Sequence, residues 1–119
     1  MKRFMLLMLD GEVSRDWRDE QWLEAYKRMS AWREEVAARG HRPVGEPLRT
    51  DAEGFRVRRR GGKLTVTDGP FIDAKELVGG YIIVECNTAA EALEIAKACP
   101  AGEWGTVEVR PLRVPPPLP

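Results

Sequence analysis

The segment YIIVECNTAAEALEIAKACP, residues 81–100, joins a strand directly to a helix. The apolar run YIIV indicates a buried strand. Thr88 and Glu91 have the spacing of a capping box, which starts a helix, and Pro100 ends it. The apolar side chains of this helix share one side: Ala92, Leu93, Ala96 and Cys99. The segment therefore predicts a strand followed by a helix that packs on it.

The N-terminal third repeats this pairing. Residues 4–9, FMLLML, are apolar at every position, which favours a short strand covered on both faces. The period then changes, and a helix is predicted from Asp16 to about Arg39, with Gly40 as its stop. Its apolar residues fall within one third of a helical wheel: Trp22, Ala25, Tyr26, Met29, Trp32 and Val36. Two strand–helix pairs are thus expected.

The remaining segments supply further strands. HRPVGEPL, residues 41–48, contains two prolines and predicts an edge strand. FRVRRR and KLTVT alternate around Gly61-Gly62, which predicts a hairpin. One face of this hairpin would be buried through Phe55, Val57, Leu64 and Val66. With a last strand at TVEVRPL, residues 106–112, the order indicates an α+β, ferredoxin-like antiparallel sheet with two helices on one face.

The 119 residues correspond to one domain, residues 1–113, followed by a proline-rich tail at 114–119 that cannot enter a sheet. Two helices cover only one face of the sheet. The other face must still hide part of the apolar residues of the strands, and no third helix is predicted to do so. We therefore expect a homodimer that packs sheet on sheet.

The charge balance argues against polyanionic partners. The chain has 19 basic and 19 acidic side chains, so no net field draws it to nucleic acid or an acidic membrane. Arg56, Arg58 and Arg60 share one strand face that suits phosphates. Without interleaved aromatic residues for stacking, a charged face that protects an exposed hairpin is favoured. We expect no nucleic-acid or membrane partner.

Two features of the sequence bear on the cellular location of the protein. The two cysteines, Cys86 and Cys99, are typical of buried thiols in a reducing compartment. Asp10 interrupts the N-terminal apolar run too early for a secretion signal. A cytoplasmic protein is therefore expected.

The connection LTVTDGPFIDAKELVGGY, residues 64–81, leaves two readings open. Asp68-Gly69-Pro70 has the chemistry of a turn, with Asp68 accepting a backbone hydrogen bond. Asp73, Lys75 and Glu76 follow at once, and such a cluster can perturb a carboxylate pKa enough for proton transfer. The connection is thus either a self-capped corner or a site.

Other familiar sites are not indicated. His41, the one histidine, follows Gly40 and precedes a proline, which is more typical of a solvated loop than of a general base; it is kept as a ligand-binding candidate. One histidine and two distant cysteines do not predict a metal site. No glycine-rich phosphate loop opens a helix. We therefore predict neither a metal nor a cofactor.

Several motifs occur in the order found in a known family: MLLML, GEPL at 45–48, VTDGPFIDAKELVGGY at 66–81, EALEIAKACP at 91–100 and VEVRP at 107–111. In these the chain resembles the YCII-related proteins, in the branch named for its Asp-Gly-Pro-Phe motif. The resemblance implies a dimeric α+β barrel and a bacterial protein, often encoded near extracytoplasmic-function sigma factors.

The chain departs from this family in two places. Ala74 stands where the branch usually has a hydroxyl. The first helix carries no histidine, so the His and Asp mechanism implied for some relatives cannot be transferred.

Two functions are expected. The first is a small-molecule-binding or cofactor-free acid/base cleft near residues 68–76, with Asp68 as proton acceptor, Lys75 as anion partner and Glu46 or Glu76 as supporting carboxylates. The alternative is a non-enzymatic accessory module that serves a regulatory circuit through its dimer or partner surface.

Overall fold

The computed structural model of the chain describes residues 1–71 and 76–119. Strands and α-helices follow one another in the predicted order: β1 (Lys2–Asp10), α1 (Asp19–Ala38), β2 (Val44–Pro47), β3 (Phe55–Arg60), β4 (Lys63–Asp68), β5 (Leu77–Cys86), α2 (Ala89–Lys97) and β6 (Gly105–Pro111). Short 3₁₀ turns occupy Asp51–Glu53 and Pro100–Glu103.

The main sheet has four strands in the order β2-β5-β1-β6. Every pair in it is antiparallel, and β1 lies in the interior between β5 and β6. This arrangement with two helices confirms the predicted α+β class with an antiparallel sheet and is compatible with a ferredoxin-like fold. The sheet register brings Asp10, the last residue of β1, opposite Leu77, the first residue of β5.

The core lies between the helices and one face of this sheet. Alternate residues of β1 and β5 are buried against side chains of α1 and α2, and the core includes Phe4, Leu6, Met8, Ile82, Val84, Trp32, Val36 and Ile95. The indole Nε1 of Trp32 donates to the main-chain oxygen of Ile95 at 3.2 Å, which links the two helices. Each large apolar side chain buried here stabilises the fold by about 1.5–3 kcal/mol.

The helix ends follow local chemistry. The side-chain oxygen of Gln21 accepts a hydrogen bond from the Arg18 main-chain N–H at 2.9 Å, so α1 begins at Asp19, later than the predicted Asp16. The hydroxyl of Thr88 accepts from the Glu91 N–H at 3.1 Å, as the capping box predicts. Gly40 follows α1 with φ of +87°, a conformation that glycine adopts without strain.

The hairpin of β3 and β4 forms its own two-stranded sheet, and the prediction of a buried hairpin face is wrong within the single chain. Every residue of both strands is exposed, including Phe55 at 71% and Val57 at 67%. The reason is that β3 and β4 pair only with each other in the part of the chain that the structure describes, so no helix or second sheet faces them.

The face of the main sheet opposite the helices is only partly covered. Met5, Leu7 and Leu9 alternate with the core residues of β1 and are partly exposed, whereas the sequence predicted a strand covered on both faces. Tyr81 and Ile83 continue this face on β5, where they lie opposite Leu7 and Met5. A second copy of the chain covering this face stays a prediction.

Candidate functional site

A cleft of about 910 Å³ lies between α1 and the ends of β1, β2 and β5. It extends to the 3₁₀ turn at Asp51–Glu53 and to the loop that follows β1. Its volume is within the range of small-molecule sites, which are commonly 300–1,000 Å³. Trp32 and Val36 of α1 are buried in the core away from the cleft, whereas the smaller Ala25 and Gly80 line it.

One wall of the cleft is aromatic and apolar. Trp22, Tyr26 and Met29 of α1 lie along it, together with Trp104. The rings of Trp22 and Tyr26 are stacked, with centroids 5.9 Å apart and an interplanar angle of 29°. Trp17 does not line the cleft but packs edge-on against Trp22, with ring centroids 5.0 Å apart. The aromatic face of this helix therefore lines a cleft as well as filling the core.

Asp10 lies in the cleft at the end of β1. Its carboxylate is seated directly against Gly79, where a Cβ would overlap it. Burial raises the pKa of the Asp10 carboxyl, because removing the group from water disfavours its charged form. Among the residues that the structure describes, no side chain or main-chain group donates a hydrogen bond to this carboxylate, so nothing there offsets the effect of burial.

The double glycine of VGGY has a defined role at this point. Gly79 makes room for the Asp10 carboxylate, and a Cβ on Gly80 would lie 3.3 Å from the main chain of Glu46 and Pro47. The Gly79 carbonyl accepts a hydrogen bond from the Leu48 N–H at 2.8 Å. The two glycines therefore let β1 and β2 approach β5 where the cleft opens.

Arg33 lies at another part of the cleft. Its guanidinium donates to the main-chain oxygen of Gly45 at 3.0 Å and to that of Pro43 at 3.3 Å. It forms no salt bridge within residues 1–71 and 76–119. A guanidinium has five N–H donors, so this one keeps donors for a ligand.

Among the predicted site residues that the structure describes, Glu46 is the one that lines the cleft. It lies on β2 opposite Tyr81 of β5. Glu76 is exposed just before β5 and does not line the cleft. Asp73 and Lys75 lie outside the described residues, so their predicted roles stay predictions.

Asp68 is the exposed last residue of β4 and is not among the residues that line the cleft. The turn after Asp68 is instead hydrogen-bonded to the segment that contains the 3₁₀ turn Asp51–Glu53. Asp51 Oδ2 accepts a hydrogen bond from the Phe71 N–H at 2.7 Å, and the Gly69 N–H donates to the Gly54 carbonyl at 2.9 Å. The Asp-Gly-Pro-Phe motif therefore anchors the hairpin to the rim of the cleft, and a proton-accepting role for Asp68 stays a prediction.

The guanidinium of Arg56 packs over the ring of Phe71, 3.9 Å from its centroid, and adds a second fastening at the base of the hairpin. Such cation–π contacts contribute about 0.5–1 kcal/mol at exposed sites. One of the arginines that suggested a phosphate-binding face thus has a contact within the chain.

His41 is buried, with 9% of its surface exposed, and not in a solvated loop as its sequence neighbours suggested. Its Nδ1 is 2.9 Å from the main-chain oxygen of Glu85 and 3.6 Å from Oε1 of Glu91. The Glu85 N–H donates to the His41 carbonyl at 2.8 Å. His41 thereby connects the segment after α1 to β5 and α2, and it is not among the residues lining the cleft.

Among the residues that the structure describes, no three His, Cys, Asp or Glu side chains are grouped so as to hold a metal ion. None of the described helices is long and apolar enough to cross a membrane. Both cysteines are free and buried, in agreement with the prediction.

Sequence reasoning missed Asp10 and Arg33. The sequence indicates Asp10 only as the residue that interrupts an apolar run, and no sequence pattern singles out Arg33. A signal for Asp10 exists: an acidic residue ending a buried strand and followed by Gly11. Its proximity to Gly79 depends on the pairing of β1 with β5, which the sequence does not show.

Comparison with known proteins supports the family suggested by the motifs. Residues 2–114 match the YCII-related domain. A protein of Rhizobium meliloti (strain 1021), itself described as uncharacterized, is 33% identical over 108 residues, which cover 87% of this chain and 85% of that protein. With the family match spanning nearly the whole chain, including β1 to β6 and the cleft between them, the chain belongs to the YCII-related domain family.

Proposed function

We propose that the chain binds a small molecule in the cleft beneath α1 and uses Asp10 to transfer a proton without a cofactor. The observation that carries the proposal is the seat of Asp10 in the cleft, against Gly79, where burial raises its carboxyl pKa. Titratable groups with pKa values shifted toward neutrality are concentrated at functional sites.

The surroundings of Asp10 support this proposal. The aromatic row of Trp22 and Tyr26 offers an apolar surface, and Arg33 offers hydrogen-bond donors in the same cleft. Ligand sites commonly combine such a wall with a few polar groups that orient the ligand. A partly buried carboxylate beside an apolar wall is suited to remove a proton from a bound molecule and to return it elsewhere.

The reaction class that fits is isomerisation or elimination. In an isomerisation, the Asp10 carboxylate takes a proton from a carbon activated by a neighbouring carbonyl, and the same carboxyl returns it to another atom of the conjugated system. The bond between the first carbon and its hydrogen breaks and a new one forms, so no oxidant or reductant is needed. Asp68 and Glu76 do not line the cleft, and Asp73 and Lys75 lie outside the described residues, so the contributions predicted for these four side chains stay predictions.

A homodimer is part of the proposal. The partly exposed face of the main sheet, with Met5, Leu7 and Ile83, supports association with a second copy, because contiguous apolar surface on a soluble protein commonly marks an interface. We propose that the two sheets face each other in this dimer, as the family resemblance implies.

A second candidate function is favoured by the hairpin. The structure leaves Phe55, Val57, Leu64 and Val66 more than half exposed on one face of β3 and β4. An isolated two-stranded hairpin is marginally stable alone, so a partner that covers this face would stabilise it. The chain would then serve as an interaction module of a regulatory circuit, as an accessory protein without its own reaction.

The cleft function is tested by a fragment screen with ligand-observed NMR on two variants of α1. Ser30 is an exposed residue that lines the cleft, so Ser30→Trp should fill the cleft and abolish fragment binding. Lys27 is exposed on the same helix outside the cleft, so Lys27→Trp is the matched control and should bind as the wild type does.

Two results would contradict the cleft function. One is that no fragment binds the wild-type protein at millimolar concentration. The other is that the fragments that bind are unaffected by Ser30→Trp. Either result would leave the interaction module as the better account of the chain.

A further inference from the structure

The position of Arg33 restricts the kind of molecule that the cleft can hold. Its guanidinium is held by the main-chain oxygens of Gly45 and Pro43, and no carboxylate among the described residues forms a salt bridge with it. Glu46, which also lines the cleft, does not form a salt bridge with it. A fixed guanidinium with spare donors is suited to a planar carboxylate, which it can bind through two parallel hydrogen bonds.

The wall between Arg33 and Asp10 favours a flat, apolar body. Trp22, Tyr26, Met29 and Arg33 follow one another along α1 at intervals of three or four residues, which places them on one side of the helix. Tyr26 is stacked on Trp22 and remains 47% exposed, so part of the Tyr26 side chain is available for contact with a ligand. Aromatic pairs that stack with an offset are more stable than their buried area alone predicts.

The sheet register and the helix rise allow an estimate of the separation of Asp10 and Arg33 along the cleft. Asp10 contacts Gly79, whereas Arg33 binds the carbonyl of Gly45, which lies opposite Ile82. Ile82 is three positions after Gly79, which corresponds to about 10 Å along β5. On the opposite wall, Tyr26 and Arg33 are seven residues apart, or about 10 Å along α1. A molecule that reaches both ends must therefore be longer than a single six-membered ring.

We infer that the ligand of the cleft is an elongated, planar carboxylic acid of about two rings in length, with its carboxylate on Arg33 and its far end beside Asp10. The inference rests on the proposed cleft function and adds the chemical class of its ligand. The proton that Asp10 transfers then belongs to the end of the molecule remote from the carboxylate.

The test compares two probes with the same ring system, 2-naphthoate and 2-naphthalenemethanol, by isothermal titration calorimetry on the full chain at neutral pH. The carboxylate should bind about tenfold tighter than the alcohol or better, because hydrogen bonds to charged groups are stronger than neutral ones. In Arg33→Gln this ratio should fall to about one, and in Arg33→Lys, which keeps the charge without the planar fork, it should be intermediate. Arg113→Gln, an exposed arginine outside the cleft, should keep the wild-type ratio.

The outcomes separate this inference from the cleft function. If the alcohol binds as tightly as the carboxylate and Ser30→Trp abolishes both, the ligand class is wrong and the cleft function stands. If neither probe binds and the fragment screen also finds none, both are wrong. If Arg33→Gln fails to fold in a thermal unfolding control, the comparison of the two probes on the wild type still decides.

Discussion

At the scale of single residues, the pair Asp10 and Gly79 determines the chemistry of the cleft. The carboxylate occupies the space that a Cβ at Gly79 would take. The φ angle of Gly79 is not positive, so this position needs glycine for space and not for an unusual backbone conformation. The double glycine of VGGY is thus explained by the close approach of the neighbouring strands.

We predict that Gly79→Ala destabilises the protein by about 1–3 kcal/mol, the usual range for overpacking a filled site. The added methyl must displace the Asp10 carboxylate or separate β1 from β5. Urea unfolding measures this change. Gly102→Ala is the control, since no atom lies within 4 Å of its added Cβ, and it should change the free energy of unfolding by less than about 0.5 kcal/mol.

A double variant shows whether the carboxylate is the cause. In an Asp10→Ala background the Gly79→Ala penalty should become much smaller, because the group that the methyl overlaps is gone. An unchanged penalty would mean that the cost arises from the backbone of β5 and that the contact with Asp10 is incidental.

At the scale of secondary-structure elements, local sequence signals were sufficient to predict an element where its own residues stabilise it. The Thr88 cap, the apolar run of β5 and the stripe of α1 are such signals, and each of these elements is present in the structure. The start of α1 was placed three residues early because Gln21, and not an acidic residue, satisfies the Arg18 N–H.

The hairpin and His41 show where such signals are insufficient. Alternation shows that Phe55, Val57, Leu64 and Val66 share a face, but it does not show what covers that face, and the structure leaves it exposed. His41 follows a helix stop and precedes a proline, yet contacts with the distant Glu85 and Glu91 bury it. Both errors concern contacts between residues far apart in sequence.

The candidate site was predictable only in part for the same reason. Sequence reasoning placed the site at residues 64–81, and Gly79 and Gly80 of that segment line the cleft. The predicted Glu46 of β2 lines it as well. The catalytic candidate now favoured, Asp10, reaches that position through the register of β1 against β5, which no local pattern contains.

At the scale of the whole molecule, the main sheet has one face against the helices and one that is partly open. We predict a dimer at micromolar concentration in sedimentation velocity, formed through the open face. Leu7 lies on that face opposite Tyr81 and Glu108, so Leu7→Glu should shift the protein to monomers by placing a charge in the interface. Val114→Glu, at an exposed position after β6, is the control and should leave the dimer intact.

A monomeric wild type at this concentration would contradict the dimer. Far-ultraviolet circular dichroism of Leu7→Glu distinguishes a folded monomer from an unfolded chain. A variant that remains dimeric and folded would place the interface elsewhere, with the hairpin as the next surface to test.

The pH dependence of stability follows from Asp10 with a definite sign. Its carboxyl pKa is raised in the folded state, so the folded protein holds this proton more firmly than the unfolded chain does. Asp10 therefore lowers stability as the pH rises from the unfolded pKa through the folded one. Asp10→Asn should accordingly be more stable than the wild type at neutral pH, and this advantage should disappear below the ordinary pKa of 3.8.

The most direct measurement of the central claim is the titration of the Asp10 carboxyl carbon by ¹³C NMR, with the signal assigned by its absence in Asp10→Asn. The account predicts a midpoint above the ordinary value of 3.8 in the free protein, and a change in that midpoint when a fragment occupies the cleft. A midpoint at the ordinary value that does not respond to any bound fragment would contradict the claim that Asp10 is the proton-transferring group of this cleft.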